Sequence, residues 1–596
     1  MYEYEKPDNL VALWENSVAK HPNNKIFGTK SKQGVYEWLT YREVDKMIND
    51  LRAGLALLGI NKGGVVGIIA NNRYEWVLAA FATYGREARF IPMYEQELLR
   101  IWKYIITDGG VEVLLVANEG IYEKVKGFIG EIPTLKHILV IDSDREYSLA
   151  ALMKRGAETP VSSSQPSPYD VAGLIYTSGT TGEPKGVLLS HGNFTSNLIA
   201  GIKKYPHLDE NTVTLAILPW AHSYAQTGEL YAMIHLGARM GLVENTNTIA
   251  NDIALVKPTW LIAVPRVFNK IYEGITTKMR NEGGLAKKLF DMGINSAKKK
   301  RELSKEGRKE TITNIKFAIA DKIVFGKIRE KLGGRLTGSM TASAMMNREV
   351  AQFFFDIGIP VYDCYGMTES SPAIAMNASY NYRMGSVGTA IERLKIVIDK
   401  TLTGADSRDG EIVVYGPNIM IGYHNKPEQT KEVLTADGGL RTGDRGYLDE
   451  DGFLFITGRI KEQYKLENGK FVFPASLEED IALVPYVLNV LIHGENRAYN
   501  VCLIVPNFDN LQAFLKEKGL TGDKETLAKN KLLVDFIANE INKSLAEKYG
   551  AYEIPKKYAL VAEPFSVDNG LLTQTLKLKR KVVFERFKGT IEGLYS

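Results

Sequence analysis

The chain has 596 residues, more than a single hydrophobic core can serve, so two or more domains are expected. Hydrophobic residues make up 45% and charged residues 24%, as in soluble globular proteins, and 74 basic against 70 acidic side chains leave a net charge of +4. That near-balance argues against a general nucleic-acid binder, although it leaves room for a local basic patch facing a phosphorylated ligand.

The first residues, from Met1 to Lys6, show no basic segment followed by an apolar core, so no signal peptide is expected. No stretch approaches the roughly 18 apolar residues that a bilayer span needs, and a soluble protein is expected. An amphipathic pattern from Leu10 to Val18 is followed by a buried strand at Val65 to Ala70 and a helix at Tyr74 to Tyr84. Val113 to Val116, His137 to Ile141 and Ala172 to Tyr176 are further short apolar runs. Strands alternating with helices predict an α/β protein with parallel-rich sheets flanked by helices. Lys278 to Arg329 differs: it is rich in Lys, Arg and Glu, contains Lys298 to Arg301, and keeps helical spacing of its apolar residues. A pair of solvated helices inserted on the surface is expected there; the alternative is a basic face touching a membrane or an acidic partner. Beyond Gly458 come short strands (Val487 to Ile492, Val501 to Val505) and charged helices (Leu511 to Lys518, Lys529 to Lys548), which read as a smaller α/β domain. The division expected is residues 1–458 and 459–596. Two cysteines, Cys364 and Cys502, lie far apart and outside any CxxC pair, so neither a disulfide framework nor structural zinc is expected, and a cytoplasmic location fits.

The most informative stretch runs from Tyr176 to Gly186, between two apolar strands. Glycines let the backbone turn its N–H groups towards an anion. Thr177, Ser178, Thr180 and Thr181 add hydroxyls, Gly179 and Gly182 supply the turns, and Lys185 brings positive charge, a combination suited to a triphosphate. It is not a Walker A loop, because Glu183-Pro184 separates Gly182 from Lys185, so a P-loop kinase or NTPase lacks its defining feature.

This loop resembles the signature of the adenylate-forming superfamily of acyl-CoA synthetases, luciferases and peptide-synthetase adenylation domains. Leu218 to His222, Tyr365 to Glu369, Arg441 to Asp444, Gly458 to Glu462 and Thr573 to Arg580 resemble that family's further motifs in the same order. The basic insertion and Leu466 to Pro474 are most similar to the long-chain fatty acyl-CoA synthetase branch. The resemblance implies an AMP-forming ligase that joins a carboxylic acid to coenzyme A through an acyl-adenylate, using ATP and Mg²⁺, with small molecules as its partners and a mobile C-terminal domain.

By the same resemblance, Glu369 holds the metal, Thr368 donates to phosphate, and Tyr365, with Gly366 and Ala342 beside it, meets adenine. Asp444 accepts from the ribose hydroxyls with Arg459 nearby. Lys577 bridges the acid's carboxylate and the α-phosphate, with Lys579 and Lys581 close by. Glu462 is the pivot about which the small domain turns between half-reactions. Gly469 approaches the pantetheine channel, and Trp220 and His222 line the acyl pocket or position the thiol. The sequence departs from the family at Leu576, where glycine is usual, and at Ala342 to Met346, where Met345-Met346 replaces Pro-Leu. A fatty acid is implied by the branch, while medium-chain, cyclic and aromatic acids use the same machinery. A carrier-loading adenylation domain would be accompanied by a carrier domain, and a non-catalytic nucleotide-binding protein would not be expected to keep Lys185, Glu369, Asp444, Arg459 and Lys577.

Overall fold

The structure, a computed structural model, describes residues 6–177, 183–245, 247–401, 403–404, 406–460, 462–546, 548–573 and 577–596. The chain divides into two compact units. The first comprises Met1–Val397, Val413–Arg441 and Asp449–Leu454, and the second Ile398–Ile412, Thr442–Leu448 and Phe455–Ser596.

The largest sheet of the first unit has seven strands, in the order Gly422–Tyr423, Lys185–Ser190, Val171–Thr177, Arg89–Met93, Val65–Ile69, Val113–Asn118 and His137–Asp142. The last five run parallel, while Lys185–Ser190 turns back on Val171–Thr177 and pairs antiparallel with Gly422–Tyr423. Val65–Ile69 is buried throughout, as a strand covered on both faces must be, which is why it reads as a continuous apolar run. The helix Tyr74–Tyr84 is buried almost all round, with Trp76 wholly enclosed. The helix Tyr41–Leu57 begins with a reciprocal cap between Thr40 and Glu43 that satisfies two otherwise orphaned N–H groups.

A second sheet has five strands in the order Trp260–Ala263, Gly338–Thr341, Val361–Gly366, Ala373–Met376 and Thr389–Ala390. The first three are parallel, and the rest antiparallel. Thr341 and Gly366 therefore mark carboxyl ends of parallel strands, the edge at which open α/β sheets build their sites.

Two α-helices lie wholly within the basic segment Lys278 to Arg329, Gly284–Lys305 and Thr311–Ala320, and Pro265–Glu282 runs into its start. The break that the sequence reading missed is at Gly283-Gly284, both left-handed at φ 56° and 52°. Phe290 anchors the second helix against Phe325 and Phe353, with ring centroids 6.3 Å and 6.1 Å apart.

In the second unit, Val487–His493 and Val501–Pro506 pair antiparallel and Lys557–Leu560 adds a parallel strand. Alternation along the middle strand serves two cores. Cys502 and Ile504 face Leu477, Ile481 and the helix Lys531–Leu545, whereas Val501, Leu503 and Val505 face Phe565, Leu571 and Val583. Cys502 is thus one small apolar side chain in a core, and Cys364 is likewise a buried thiol, pushed up to about 12 by burial.

Candidate active site

Thr177 and Lys185 face each other across the hairpin that closes the phosphate-type loop. Ser178, Gly179, Thr180, Thr181 and Gly182 lie outside the described residues. The strand of Lys185 is pinned on its other edge by Gly422–Tyr423, in a register that sets Tyr423 opposite Val187. Tyr423 then does two things. Its ring lies 4.7 Å below Lys185 Nζ, and its hydroxyl donates to Glu369 Oε1 at 2.7 Å. Burial, reinforced by the Glu369 charge, pushes the Tyr423 phenol far up, so it stays protonated and acts as a donor.

Glu369 sits in a single turn, Thr368–Ser370, directly after the strand Val361–Gly366. Met420 N donates to the Glu369 carbonyl at 2.9 Å and Asn418 Nδ2 to the Ser370 carbonyl at 2.7 Å. The segment from Asn418 to Tyr423 therefore clamps the metal-type carboxylate to the strand of Lys185. Gly366 has no substitute in this turn, since a Cβ there would lie 2.0 Å from the Pro372 carbonyl oxygen. Thr368 shares a 3.0 Å hydrogen bond with Ser223. His222 Nδ1 accepts from Tyr224 N at 3.2 Å and so starts the short helix Ser223–Ala225 that presents Ser223. Trp220 is wholly buried, 5.8 Å from both Trp76 and Phe27 by ring centroids. It is a core residue in this structure.

Tyr365 lies near the end of the strand Val361–Gly366, and Ala342 is buried just past the end of Gly338–Thr341. Between them is a residue that the sequence reading missed. Asp363 pairs in register with Thr341, and its Oδ2 accepts from Met346 N at 3.4 Å. Its Oδ1 and the Thr341 hydroxyl are buried without a hydrogen-bond partner among the described residues. Burial pushes the Asp363 carboxyl up to about 8, against the pull of the Met346 and Cys364 N–H groups. A cleft beside it is lined by Met346, Tyr362, Asn377, Arg383 and Ser386. The available signal was an aspartate inside the otherwise apolar run from Val361 to Cys364, because a buried orphaned oxygen is rare and usually functional.

In the second unit, Asp444 lies within the strand Leu440–Leu448, although the residue before it is a glycine. Gly443, left-handed at φ 71°, is an irregularity inside that strand. Asp444 is only 5% exposed, and Arg459 Nε approaches its Oδ1 to 2.9 Å. Arg459 Nη1 also lies 3.7 Å from the Glu462 carboxylate, so the ribose-type aspartate and the pivot-type glutamate share one guanidinium. Gly469 is at the exposed tip of the hairpin between Tyr464–Lys465 and Phe471–Val472, at φ 78°. Lys577 closes a loop: its N–H donates to Thr573 Oγ1 at 3.0 Å and its carbonyl accepts from Thr573 N at 2.8 Å.

The first unit thus gathers Lys185, Thr368, Glu369, Tyr423 and Ser223, and the second gathers Asp444, Arg459 and Glu462. No group of three or more His, Cys, Asp or Glu that could hold a metal occurs among the described residues. A lone carboxylate such as Glu369 could hold an ion that takes its other ligands from phosphate and water, a donor set that would suit Mg²⁺ rather than zinc.

The sequence model of the family described as "AMP-binding enzyme" matches residues 14–424, and that of the "AMP-binding enzyme C-terminal domain" matches 461–596. The chain is 30% identical to the peroxisomal long chain acyl-CoA synthetase 7 of Arabidopsis thaliana, over 99% of this chain and 86% of that one. It is 31% identical to fatty acyl-CoA synthetase A of Dictyostelium discoideum, over 95% and 87%. Its fold matches the adenylation domain of a carboxylate reductase from Mycobacterium chelonae, with a TM-score of 0.80 at 21% identity over 99% of this chain and 92% of that one.

Proposed function

The chain belongs to the AMP-binding enzyme family, and from that premise we propose that it is a fatty acid:coenzyme A ligase whose adenylation centre is organised by Tyr423 between Lys185 and Glu369. The observation that carries this reading is that one phenol meets both charged groups, the cation by its ring and the carboxylate by its hydroxyl.

In the first half-reaction a carboxylate oxygen of the fatty acid attacks the α-phosphorus of ATP. The bond from that phosphorus to the bridging oxygen breaks, and pyrophosphate leaves. Two anions must meet, so charge neutralisation and alignment dominate the barrier. Lys185 offers a cation at the mouth of the loop that begins after Thr177, and Thr368 offers a hydroxyl held in place by Ser223. A magnesium ion, when bound, neutralises phosphate oxygens, and Glu369 would hold it, with one oxygen already engaged by Tyr423. Asp363 supports adenine recognition, because its orphaned oxygen suits the exocyclic amine of the base. Asp444 takes the ribose hydroxyls, steadied by Arg459. Lys577 supplies the cation that follows charge from the attacking carboxylate to the α-phosphate.

In the second half-reaction the thiol sulfur of coenzyme A attacks the acyl carbonyl carbon, the bond to AMP breaks, and the thiol proton passes to solvent. Glu462 is assigned the pivot between the two half-reactions, and Gly469, lacking a Cβ, the approach of the pantetheine arm. His222 and Ser223 are assigned the acyl side of the centre. The buried, unpaired thiols of Cys364 and Cys502 suit a reducing compartment such as the cytoplasm.

The test is pyrophosphate release over a panel of acids, with and without coenzyme A. Release that depends on long-chain acids, followed by acyl-CoA when the thiol is added, supports the reading. Release indifferent to every acid contradicts its first half, and acyl-AMP that persists unchanged with the thiol present contradicts its second.

A further inference from the structure

We propose that one face of the insertion helix Thr311–Ala320 is a docking surface for an anionic lipid bilayer. Ile312, Ile315 and Ile319, continued by Ile323 in the next turn, are 62%, 54%, 44% and 43% exposed. Spacings of three and four residues place them along one stripe of the helix. The opposite face is the one that packs: Thr313, Ala320, Val324 and Phe325 are buried, and Lys300 Nζ covers the Phe317 ring at 4.9 Å. Gly293 permits that packing, because a Cβ there would meet the Phe325 ring at 2.6 Å. The isoleucines are therefore not a frayed part of the core. They are a second apolar face on a helix whose first face is already used. Scattered exposed apolar residues need no explanation, but an aligned row on one helix does.

The charge around the row identifies what covers it. Between Gly284 and Lys327 there are twelve basic and five acidic side chains, an excess of seven, whereas the whole chain carries only +4. The rest of the molecule is thus net acidic, and this insertion concentrates positive charge that an anionic surface attracts. Lys316 and Lys322 are themselves exposed positions on this helix and the turn that continues it. A row of aliphatic side chains along one exposed helix stripe suits the boundary of headgroups and acyl chains. Flexible lysines beside an apolar stripe are the composition of interfacial helices that lie in the membrane plane. No helix among the described residues is long and apolar enough to cross a membrane, so the contact is with one leaflet.

The experiment is sedimentation of the full chain with vesicles of phosphatidylcholine alone or mixed with phosphatidylglycerol. It compares the wild type with Ile315→Asp/Ile319→Asp and with Lys316→Glu/Lys322→Glu, and each is also assayed for palmitate-driven ATP–pyrophosphate exchange without vesicles. The wild type is expected to sediment with the anionic vesicles only and to be released by added salt. Each double variant should bind about tenfold more weakly while folding and exchanging normally. Wild-type protein that ignores the anionic vesicles overturns the proposal, as does either double variant binding as the wild type does. So does a dimer in sedimentation velocity that Ile315→Asp/Ile319→Asp dissociates without any vesicle binding, because the face then belongs to a second copy. Vesicle binding with no acid-dependent exchange would leave the docking surface standing and remove the ligase reading, so the two fail separately.

Discussion

Arg580 holds Glu478 with a single guanidinium nitrogen, Nη1, 2.7 Å and 2.6 Å from the two carboxylate oxygens, and its Nη2 donates to the Ile492 carbonyl at 2.7 Å. The relationship fixes the start of the helix Arg580–Arg586, three residues after Lys577, to the helix Pro474–Ile481 and the first strand of the small sheet. Leu571 and Lys579 close the same loop by backbone pairing. Lys577 thus stands three residues before an anchored helix start.

Arg580→Ala leaves the Glu478 carboxylate buried without its cation and is expected to cost about 3–5 kcal/mol in the second unit. Arg580→Lys keeps the charge but not the fork, and should lower kcat for adenylation more than it raises KM for ATP. Chemical denaturation followed by a probe in the second unit, with steady-state kinetics, checks both. A kcat unchanged in Arg580→Lys would deny Arg580 its positioning role.

Tyr423→Phe removes the hydrogen bond to Glu369 and keeps the ring beneath Lys185. A charge-assisted hydrogen bond contributes about 1.5–3 kcal/mol, so kcat should fall roughly ten- to a hundredfold, with an increased requirement for magnesium. Tyr423→Leu also removes the cation–π contact and should cost about a further twofold to tenfold. Magnesium titrations of both variants check the order. Equal activity of Tyr423→Phe and wild type would show that Glu369 needs no orienting partner.

Asp363→Ala should raise KM for ATP without moving KM for the acid, since Asp363 faces the cleft beside Tyr362 and Met346. Asp363→Asn, which can still offer an acceptor, should retain more activity than Asp363→Ala. Competition by adenosine analogues lacking the exocyclic amine separates the two. If the analogues lose affinity equally in wild type and Asp363→Ala, the residue does not read the base.

Burial pushes the carboxyl of Glu229 up to about 8 from an ordinary 4.5, with the Trp220 indole and the Thr214 hydroxyl pulling the other way. Between those values the unfolded chain is ionised while the folded one keeps the proton, so the unfolded state binds fewer protons and stability falls as pH rises. The fall begins near the ordinary value and ends near pH 8, at a limiting slope of about 1.4 kcal/mol per pH unit. His191 works in the other direction. Burial lowers it to about 3, so its contribution is present at neutral pH and is lost as pH falls from about 6.5 towards 3. Glu229→Gln should be no more stable than wild type at pH 5, with its advantage growing to pH 8. Paired thermal melts across that range check the sign. An advantage independent of pH would mean that Glu229 is already ionised in the fold.

Much of the first unit is legible in the sequence because buried parallel strands are short apolar runs and because glycine and hydroxyl residues cluster where an anion is held. Val65–Ile69, Tyr74–Tyr84 and the hairpin around Lys185 all follow from such local patterns. Tyr423 does not. It lies more than two hundred residues from Lys185, in a two-residue strand, and nothing nearby in sequence marks it. Its role depends on a register between distant segments. Asp363 was hidden for a different reason: in sequence an aspartate between Tyr362 and Cys364 is only a weak signal, and the fold is needed to show that one of its oxygens is orphaned beside Thr341. Asp444 follows Gly443, a turn-forming residue, yet the strand Leu440–Leu448 absorbs that glycine as an irregularity. The exposed row of isoleucines in Thr311–Ala320 was also invisible, since helical spacing alone does not say which of two apolar faces is covered.

The most direct measurement is exchange of labelled pyrophosphate into ATP, driven by palmitate, for the wild type, Glu369→Gln and Tyr423→Phe without coenzyme A. The account predicts palmitate-dependent exchange in the wild type, its near-complete loss in Glu369→Gln, and an intermediate rate in Tyr423→Phe. Exchange that proceeds in Glu369→Gln as it does in the wild type would contradict it.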